Sequence, residues 1–291
     1  MVNKAPTPIC YDLHSHSTAS DGVLSPAALV HLAAEHGVDV LALTDHDSTT
    51  GLAEAAAAAR EVGVHFIPGI EISVSWQKRL IHIVGLGIDE KFAELQAGLV
   101  NLREMRQQRA EAIGACFEKI GMSGVYEGAA ALASDVVSRS HFAMHLVERG
   151  DVRDFSQAFK KYLQKGKRCY VPCEWASLVE ALGWIHDAGG QAVVAHPARY
   201  KMSRTLMRAF LADFRALGGV GLEVACSSHS VDEAQTMAKF AKEFGLLASV
   251  GSDFHSPESN WARLGRHHAL PDGCTPVWHD WKIPFNSTSR S

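Results

Sequence analysis

The stretch DLHSHSTASDG, residues 12–22, sets two histidines one residue apart at the end of an apolar run, with Asp21 after them. Residues i and i+2 of an extended strand point to the same side, so His14 and His16 can direct two imidazole nitrogens at one metal ion. The same pattern fits a polar loop after a buried strand. The pair alone leaves both interpretations open, and the rest of the chain has to separate them.

The composition is that of a globular chain, with 291 residues, 47% of them hydrophobic and 21% charged. This length allows one large core, or a core and a small second domain. No apolar stretch approaches the roughly 20 residues that a membrane span needs, and the first residues lack a signal peptide's apolar region, so we expect a cytoplasmic protein without a membrane partner. A net charge of -4 argues against binding to long duplex nucleic acid through a uniformly basic surface.

The cysteines are scattered and form no CxxC pair, which predicts neither a thiolate zinc site nor a disulfide framework. We therefore expect reduced thiols. The six positions are Cys10, Cys116, Cys169, Cys173, Cys226 and Cys274.

Seven apolar runs, rich in β-branched residues, end in polar clusters. They are ICYDLHSH, VDVLALTDHD, HFIPGIEIS, RLIHIVGLGID, QAVVAHP, GVGLEVACSS and LLASVGSDFH. Near-continuous apolar runs are typical of strands buried on both faces of a parallel sheet. Helical patterns that stop at a glycine lie between most of them. The alternation predicts an α/β barrel, in which the chemistry gathers at the carboxyl ends of the strands.

Histidines and acidic residues lie at those strand ends, and a chance arrangement would not repeat so regularly. The motifs are HSH with Asp21, TDHD at 44–47, AHP at 195–197 and SDFH at 252–255. In their order and spacing they resemble the polymerase and histidinol phosphatase (PHP) family, over residues 10–256. The resemblance implies a distorted (β/α)7 TIM-like barrel that holds up to three divalent metal ions.

The resemblance also implies the metal ligands. A first metal would take His14, His16, Glu71 and Asp253; a second would share Glu71 and add His82 and His196; a third would take Asp21, His46 and His255. His141 competes with His82, which we favour because its strand is in register with the barrel. We expect Asp45 and Asp47 to orient ligating imidazoles. Nitrogen and oxygen ligands without thiolate suit manganese first, and also iron or zinc.

A charge count on this implied site favours a phosphate ester as the substrate. Three dications and three ligand carboxylates leave a charge of about +3, which a phosphate monoester dianion and a hydroxide would cancel. A neutral amide would leave that charge uncompensated in a partly desolvated cleft. We therefore expect a phosphoesterase in which a metal-activated hydroxide that bridges two ions attacks phosphorus.

The alternation of apolar runs and helical patterns stops over residues 98–168. We interpret this segment as an inserted helical cap in a barrel formed by residues 1–97 and 169–291. This segment carries twelve Lys or Arg against eight Asp or Glu, a net charge of +4. Arginines three residues apart on one helical face fit either phosphate contacts or a solvated stripe. The candidate substrate-binding residues are Arg103, Arg106, Arg109, Arg139, His141 and Arg199.

With the segments SRSHF, FKKYLQKGK and HPARY, the whole chain resembles the ribonuclease AM group of PHP enzymes, and the match runs nearly from end to end. This resemblance implies removal of the 3'-phosphate from 3',5'-nucleoside bisphosphates, and 5'-to-3' trimming of short RNA. Two alternatives stay open: a phosphatase of a small metabolite such as histidinol phosphate, and a non-catalytic metal-binding PHP module.

Overall fold

The structure, a computed structural model, describes residues 8–259 and 262–283. The strands are β1 (Tyr11–Asp12), β2 (Val40–Leu43), β3 (His65–Trp76), β4 (Arg79–Leu86), β5 (Ala176–Ser177), β6 (Gln191–Val194), β7 (Gly221–Cys226) and β8 (Leu247–Gly251). The α-helices are α1 (Pro26–Glu35), α2 (Leu52–Val62), α3 (Ala93–Lys119), α4 (Val125–Leu132), α5 (Arg139–Glu148), α6 (Phe155–Ala158), α7 (Leu178–Asp187), α8 (Arg204–Ala216) and α9 (Val231–Glu243). A π-helical segment spans Phe159–Leu163, and a 3-10 turn spans Pro197–Tyr200. In the described ranges, no helix combines the length and apolarity needed to cross a membrane.

The sheet curls into a nearly closed barrel of seven strands in the order β1-β2-β3-β4-β6-β7-β8, with β5 attached to β3. Its two ends meet where the Leu13 N–H donates to the Val250 carbonyl at 3.1 Å. A bridge between Ser15 and Phe254 extends this contact. The seven apolar runs are these seven strands, so the predicted α/β barrel is confirmed.

Strand β4 departs from the expected parallel sheet, because it runs antiparallel to both β3 and β6. A two-residue turn, Gln77–Lys78, joins β3 to β4, and both of its residues have positive φ angles, 46° and 61°. Such a turn makes a hairpin and leaves no room for a crossover helix. His82 therefore enters the barrel from the middle of a strand, opposite Ser73.

The end of the barrel that holds the amino ends of the parallel strands is filled by apolar side chains and covered by the C-terminal segment. The Trp278 ring stacks on Tyr11, with centroids 4.1 Å apart. The Trp281 indole N–H donates to Gln191 at 2.9 Å. Functional side chains are therefore confined to the opposite end, which we call the mouth.

Residues 98–168 contain a hydrophobic cluster of their own. The first half of α3 packs in the barrel core through Leu95 and Leu99, and its second half packs in the other cluster through Ile113 and Phe117. The predicted boundary at residue 98 thus falls inside one continuous helix. We call residues 98–168 the cap segment.

The expectation of reduced, unpaired cysteines was wrong for one pair. Cys116, near the end of α3, and Cys169 form a disulfide although they are 53 residues apart in sequence. Sequence spacing gave no sign of this pair, because the folding of the cap segment brings the two residues together.

Helix α3 is held against α7 by a close approach at Gly98, where an added Cβ would lie 2.5 Å from the Trp184 ring. We expect Gly98→Ala to lower the free energy of unfolding by about 1–3 kcal/mol through overpacking. Gly183 in α7 is the matched control, since a Cβ there would meet nothing within 4 Å. Gly183→Ala should instead stabilise by about 0.5–1 kcal/mol. Urea denaturation of both variants measures these changes, and equal changes in the free energy of unfolding would contradict this packing.

Candidate metal centre

Nine imidazole and carboxylate side chains converge at the mouth of the barrel. They are His14, His16, Asp21, His46, Glu71, His82, His196, Asp253 and His255. These are the nine residues that the sequence analysis selected, and they lie in or directly after six different strands, β1, β2, β3, β4, β6 and β8. We call them the mouth cluster.

The mouth cluster divides into four overlapping groups, each with its ligand-type atoms within 4.8 Å of one another. The groups are His16, Asp21, His46 and His255; His14, His16 and Asp253; His14, Glu71 and His196; and His46, Glu71 and His82. His82 belongs to a group, whereas His141 does not. His141 lies in the first turn of α5, where its Nδ1 accepts from the Ser138 N–H at 3.0 Å.

Glu71 is the centre of the mouth cluster and is fully buried. Its Oε1 lies 3.0 Å from His82 Nδ1 and 3.1 Å from His196 Nε2. Its Oε2 lies 2.8 Å from His46 Nδ1. Burial alone would raise the pKa of Glu71, but the charges of His46, His82 and His14 hold it well below its usual value.

The histidine rings differ in their protonation. Burial lowers the pKa of His16 to about 3 and that of His82 to about 4, which leaves both rings neutral, as metal ligands must be. At His255 burial also opposes the charged form, but Asp21 outweighs it and raises the pKa to about 9. The chain without metal thus neutralises its carboxylates with protons on some of its imidazoles.

Several buried polar atoms of the mouth cluster make no hydrogen bond of normal geometry to a described residue, although two of them, Glu71 Oε2 and His46 Nδ1, lie 2.8 Å apart as an ion pair. These polar atoms are Asp21 Oδ1, His46 Nδ1, Glu71 Oε2 and His196 Nδ1. Buried polar atoms normally have partners, so these positions call for a ligand. In addition, the Nε2 atoms of His14 and His16 face each other at 3.1 Å. A donor set of imidazole nitrogens and carboxylate oxygens fits divalent metal ions.

Asp45 and Asp47, which we expected to orient imidazoles, do not contact a ring directly. Asp45 reaches His16 through the Ser20 hydroxyl, which lies 3.5 Å from His16 Nδ1. Asp45 accepts from the Ser17 N–H at 2.8 Å and from the Ser20 hydroxyl at 2.6 Å, and so fixes the loop after β1. Asp47, whose φ of 50° turns it away from the rings, accepts from the Ser73 N–H at 2.7 Å. Neither carboxylate hydrogen-bonds to a ring nitrogen of a described histidine.

The residue that does hold an imidazole is Glu223, which the sequence analysis did not select. It lies in β7, is 2% exposed, and has its Oε1 3.1 Å from His14 Nδ1. A single charge inside the apolar run GLEVAC was the available signal. A carboxylate in a buried strand needs a partner, and here the partner is a residue of the mouth cluster.

The candidate arginines lie on two sides of the mouth cluster. Arg103 and Arg106 line a cleft with Asp21 and His46. Arg109 and Arg139 are also in the cap segment, and burial and then the charge of Arg139 lower the pKa of Arg109 to about 10. Those four arginines are on the cap side, and Ser140 links that side to the cluster through a 2.7 Å hydrogen bond to Asp21.

Arg199 reaches the mouth cluster from the barrel part of the chain, outside the cap segment. It follows β6 in the 3-10 turn and contacts Asp253, with its side chain 47% exposed. The neighbouring Tyr200 hydroxyl accepts from the His82 N–H at 2.9 Å. This turn therefore contacts two residues of the mouth cluster.

Comparison with known proteins assigns the chain to a family. The PHP domain model matches residues 12–171. The chain belongs to the PHP family. A 3',5'-nucleoside bisphosphate phosphatase of Chromobacterium violaceum is 49% identical over 92% of this chain and 95% of its own length. A 5'-3' exoribonuclease of Haemophilus influenzae is 49% identical over 92% of this chain and 97% of its own length.

Solved structures of PHP-like proteins share the fold. An amidohydrolase from C. violaceum, with bound sulfate and no metal, superposes with a TM-score of 0.89 at 49% identity, covering 92% of this chain and 94% of that one. A protein of Bifidobacterium adolescentis, assigned as a metal-dependent phosphoesterase, gives a TM-score of 0.78 at 25% identity, covering 94% of each chain. The mouth cluster described above is therefore what a metal-dependent PHP enzyme would need.

Arg106 connects the cap segment to the barrel in a way that can be measured. Its guanidinium lies 2.6 Å from Asp47 and donates to the Ser73 hydroxyl at 2.8 Å. Arg106→Ala leaves a buried carboxylate unpaired, so we expect it to lower the free energy of unfolding by about 3–5 kcal/mol. Arg103→Ala, which breaks no ion pair to a described residue, should change it by less than about 0.5 kcal/mol. Equal losses in urea denaturation would contradict this role of Arg106.

Proposed function

We propose that this chain is a metal-dependent phosphatase that removes the 3'-phosphate from 3',5'-nucleoside bisphosphates and leaves a nucleoside 5'-monophosphate. The observation that carries the proposal is the cluster of nine metal-ligand side chains at the mouth, with Arg109 and Arg139 of the cap segment as candidate contacts for a second phosphate. Neither guanidinium lies within 4.0 Å of a carboxylate of the described residues. The names of the two relatives support the same substrate class.

The proposed ligand sets divide the nine residues of the mouth cluster as the sequence analysis did. His14, His16, Glu71 and Asp253 would hold a first ion; Glu71, His82 and His196 a second; Asp21, His46 and His255 a third. Manganese is our first choice, with iron or zinc as substitutes. When bound, the ions would stabilise charge on the phosphoryl oxygens and would lower the pKa of bound water toward neutral pH.

The cap segment would select the substrate through its second phosphate. Arg109 and Arg139 already repel each other in a half-buried place, so an anion between them would relieve an existing cost. The Arg106 charge is matched by Asp47, which makes Arg106 a weaker candidate for this role. The 3'-phosphate would then lie at the mouth cluster while the 5'-phosphate is held by Arg109 and Arg139.

Trimming of RNA from its 5' end is a second candidate function. The bond broken in RNA is the same P–O3' bond of a 5'-phosphorylated nucleotide, and the phosphorus then carries the rest of the chain. The specific support is Arg199, a half-exposed cation outside the cap segment that contacts the mouth cluster at Asp253. A short RNA could extend past this residue.

Glu71 is the group that two of the proposed ions would share, so its loss should disturb both. We expect Glu71→Gln to retain less manganese than His255→Asn, and to lose about tenfold or more additional kcat/KM. His255 is the matched control because it belongs to one group of the mouth cluster. Metal content and bisphosphate hydrolysis are measured on both proteins. Near-normal turnover with unchanged metal in Glu71→Gln would refute the bridging assignment.

The second-phosphate hypothesis predicts a loss that depends on the substrate. A charge-assisted hydrogen bond contributes about 1.5–3 kcal/mol, so Arg109→Ala or Arg139→Ala should lower kcat/KM for adenosine 3',5'-bisphosphate by about 10- to 150-fold. Hydrolysis of an aryl phosphate, which has no second phosphate, should hardly change.

Two controls accompany this test. Adenosine 3'-monophosphate should be a poorer substrate than the bisphosphate for the unmodified enzyme, and Arg153→Ala, which changes an exposed arginine of the cap segment, should leave that preference intact. Equal efficiency on the two nucleotides, or equal losses on the nucleotide and the aryl phosphate, would favour a less selective phosphatase such as one for a small metabolite. An unmodified protein that hydrolyses none of these esters with manganese would favour the non-catalytic module.

A further inference from the structure

Glu223 contacts two residues of the mouth cluster with one carboxylate. Its Oε1 lies 3.1 Å from the Nδ1 atom of His14, and its Oε2 accepts from the backbone N–H of His196 at 2.5 Å. The side chain of Glu223 is almost fully buried, so both contacts are shielded from solvent. Each carboxylate oxygen thus contacts a residue that follows a different strand.

Local backbone features give Glu223 the space and direction for these contacts. The register between β7 and β8 shifts between Glu223 and Ala225, as at a β-bulge, which re-aims a side chain. On the facing strand, a Cβ at Gly251 would lie 2.8 Å from Glu223 Oε1 and 2.4 Å from His14 Cβ. The absence of a side chain at 251 therefore lets the carboxylate and the imidazole meet.

Both contacts bear on how a ring could bind metal. A His14 ring that donates its Nδ1 proton to Glu223 leaves Nε2 as the ligand atom, and Nε2 is the atom 3.5 Å from Asp253 and 3.4 Å from Glu71. His196 has a φ of 28° and a ψ of 55°, a sparsely populated backbone conformation that its surroundings must hold. The hydrogen bond from its N–H to Glu223 supplies such a restraint.

We propose that Glu223 is a positioning residue that sets His14 and His196 together, so that one carboxylate supports two of the proposed metal positions. His14 belongs to the proposed first ligand set and His196 to the second. The inference rests on the proposed metal centre and adds a residue outside it. Glu223 contacts neither substrate nor metal in this assignment, and it acts through the two histidines.

The test is the affinity for manganese of metal-free protein, measured by calorimetric titration without substrate. Glutamine offers one acceptor oxygen where glutamate offers two, so in Glu223→Gln either the His14 ring or the His196 N–H faces an amide NH2 group. We expect manganese to bind about 10- to 100-fold more weakly, at more than one ion position.

Asp12→Asn is the matched control. Asp12 is a buried carboxylate that also accepts two backbone N–H groups, from Ser252 and Gly265, each at 2.8 Å, but it contacts no imidazole of the mouth cluster. Asp12→Asn should lose stability in thermal unfolding as Glu223→Gln does, with less than about a threefold change in manganese affinity. Equal weakening in the two variants would mean a merely structural role and would overturn the proposal.

A second variant covers the case in which Glu223→Gln does not fold. Glu223→Asp keeps the charge but is one methylene shorter, so it can reach one of its two partners, and we expect manganese binding to weaken by about tenfold. Unchanged affinity in a folded Glu223→Asp or Glu223→Gln would refute the inference. If the unmodified protein itself binds no manganese, the proposed metal centre fails, which is a different result.

Discussion

The burial of three carboxylates among six imidazoles is the constraint on which the rest of the molecule depends. Ionised carboxylates cannot remain out of water without compensating charge. In the metal-free chain the compensation comes from protons, since the carboxylates raise the pKa of His14 and His255 despite burial. Divalent ions would replace these protons, so metal loading and proton release are linked. The mouth cluster can therefore balance its carboxylates with protons and exchange those protons for metal ions.

The surrounding structure serves mainly to hold this cluster in place. Glu223 secures His14 and His196, the Tyr200 hydroxyl secures the His82 backbone, and Arg199 contacts Asp253. Much of this support comes from one turn after β6, which reaches β4 on one side and β8 on the other. On the opposite side, the Arg106–Asp47 ion pair anchors the cap segment to the ends of β2 and β3. Apart from the half-exposed Arg199, the support is polar and largely buried, which is why single substitutions in it should have large effects.

Much of the fold and the cluster could be predicted because the information is local. Each motif follows its own apolar run, and the carboxyl ends of barrel strands must meet. The direction of β4 could not be predicted, since the turn at Gln77–Lys78 has neither the glycine nor the asparagine that usually marks a tight hairpin. The roles of Asp45 and Asp47 depended on backbone angles that residue type does not fix. Glu223 was visible as a charge in an apolar run, but its partners come from strands distant in sequence.

The arrangement of cations around the cluster bears on the direction of RNA trimming. Under the proposed function, the cap segment receives the 5'-phosphate and the mouth cluster receives the next phosphorus along the chain. Any further nucleotides are attached to that phosphorus, so under this proposal they would extend away from the bound 5'-phosphate, and the half-exposed Arg199 is a candidate contact for them. After the P–O3' bond breaks, the released RNA carries a new 5'-phosphate, which the cap arginines can bind in turn. A 3',5'-nucleoside bisphosphate is then the shortest member of the same substrate series, and one site accounts for both activities by geometry alone.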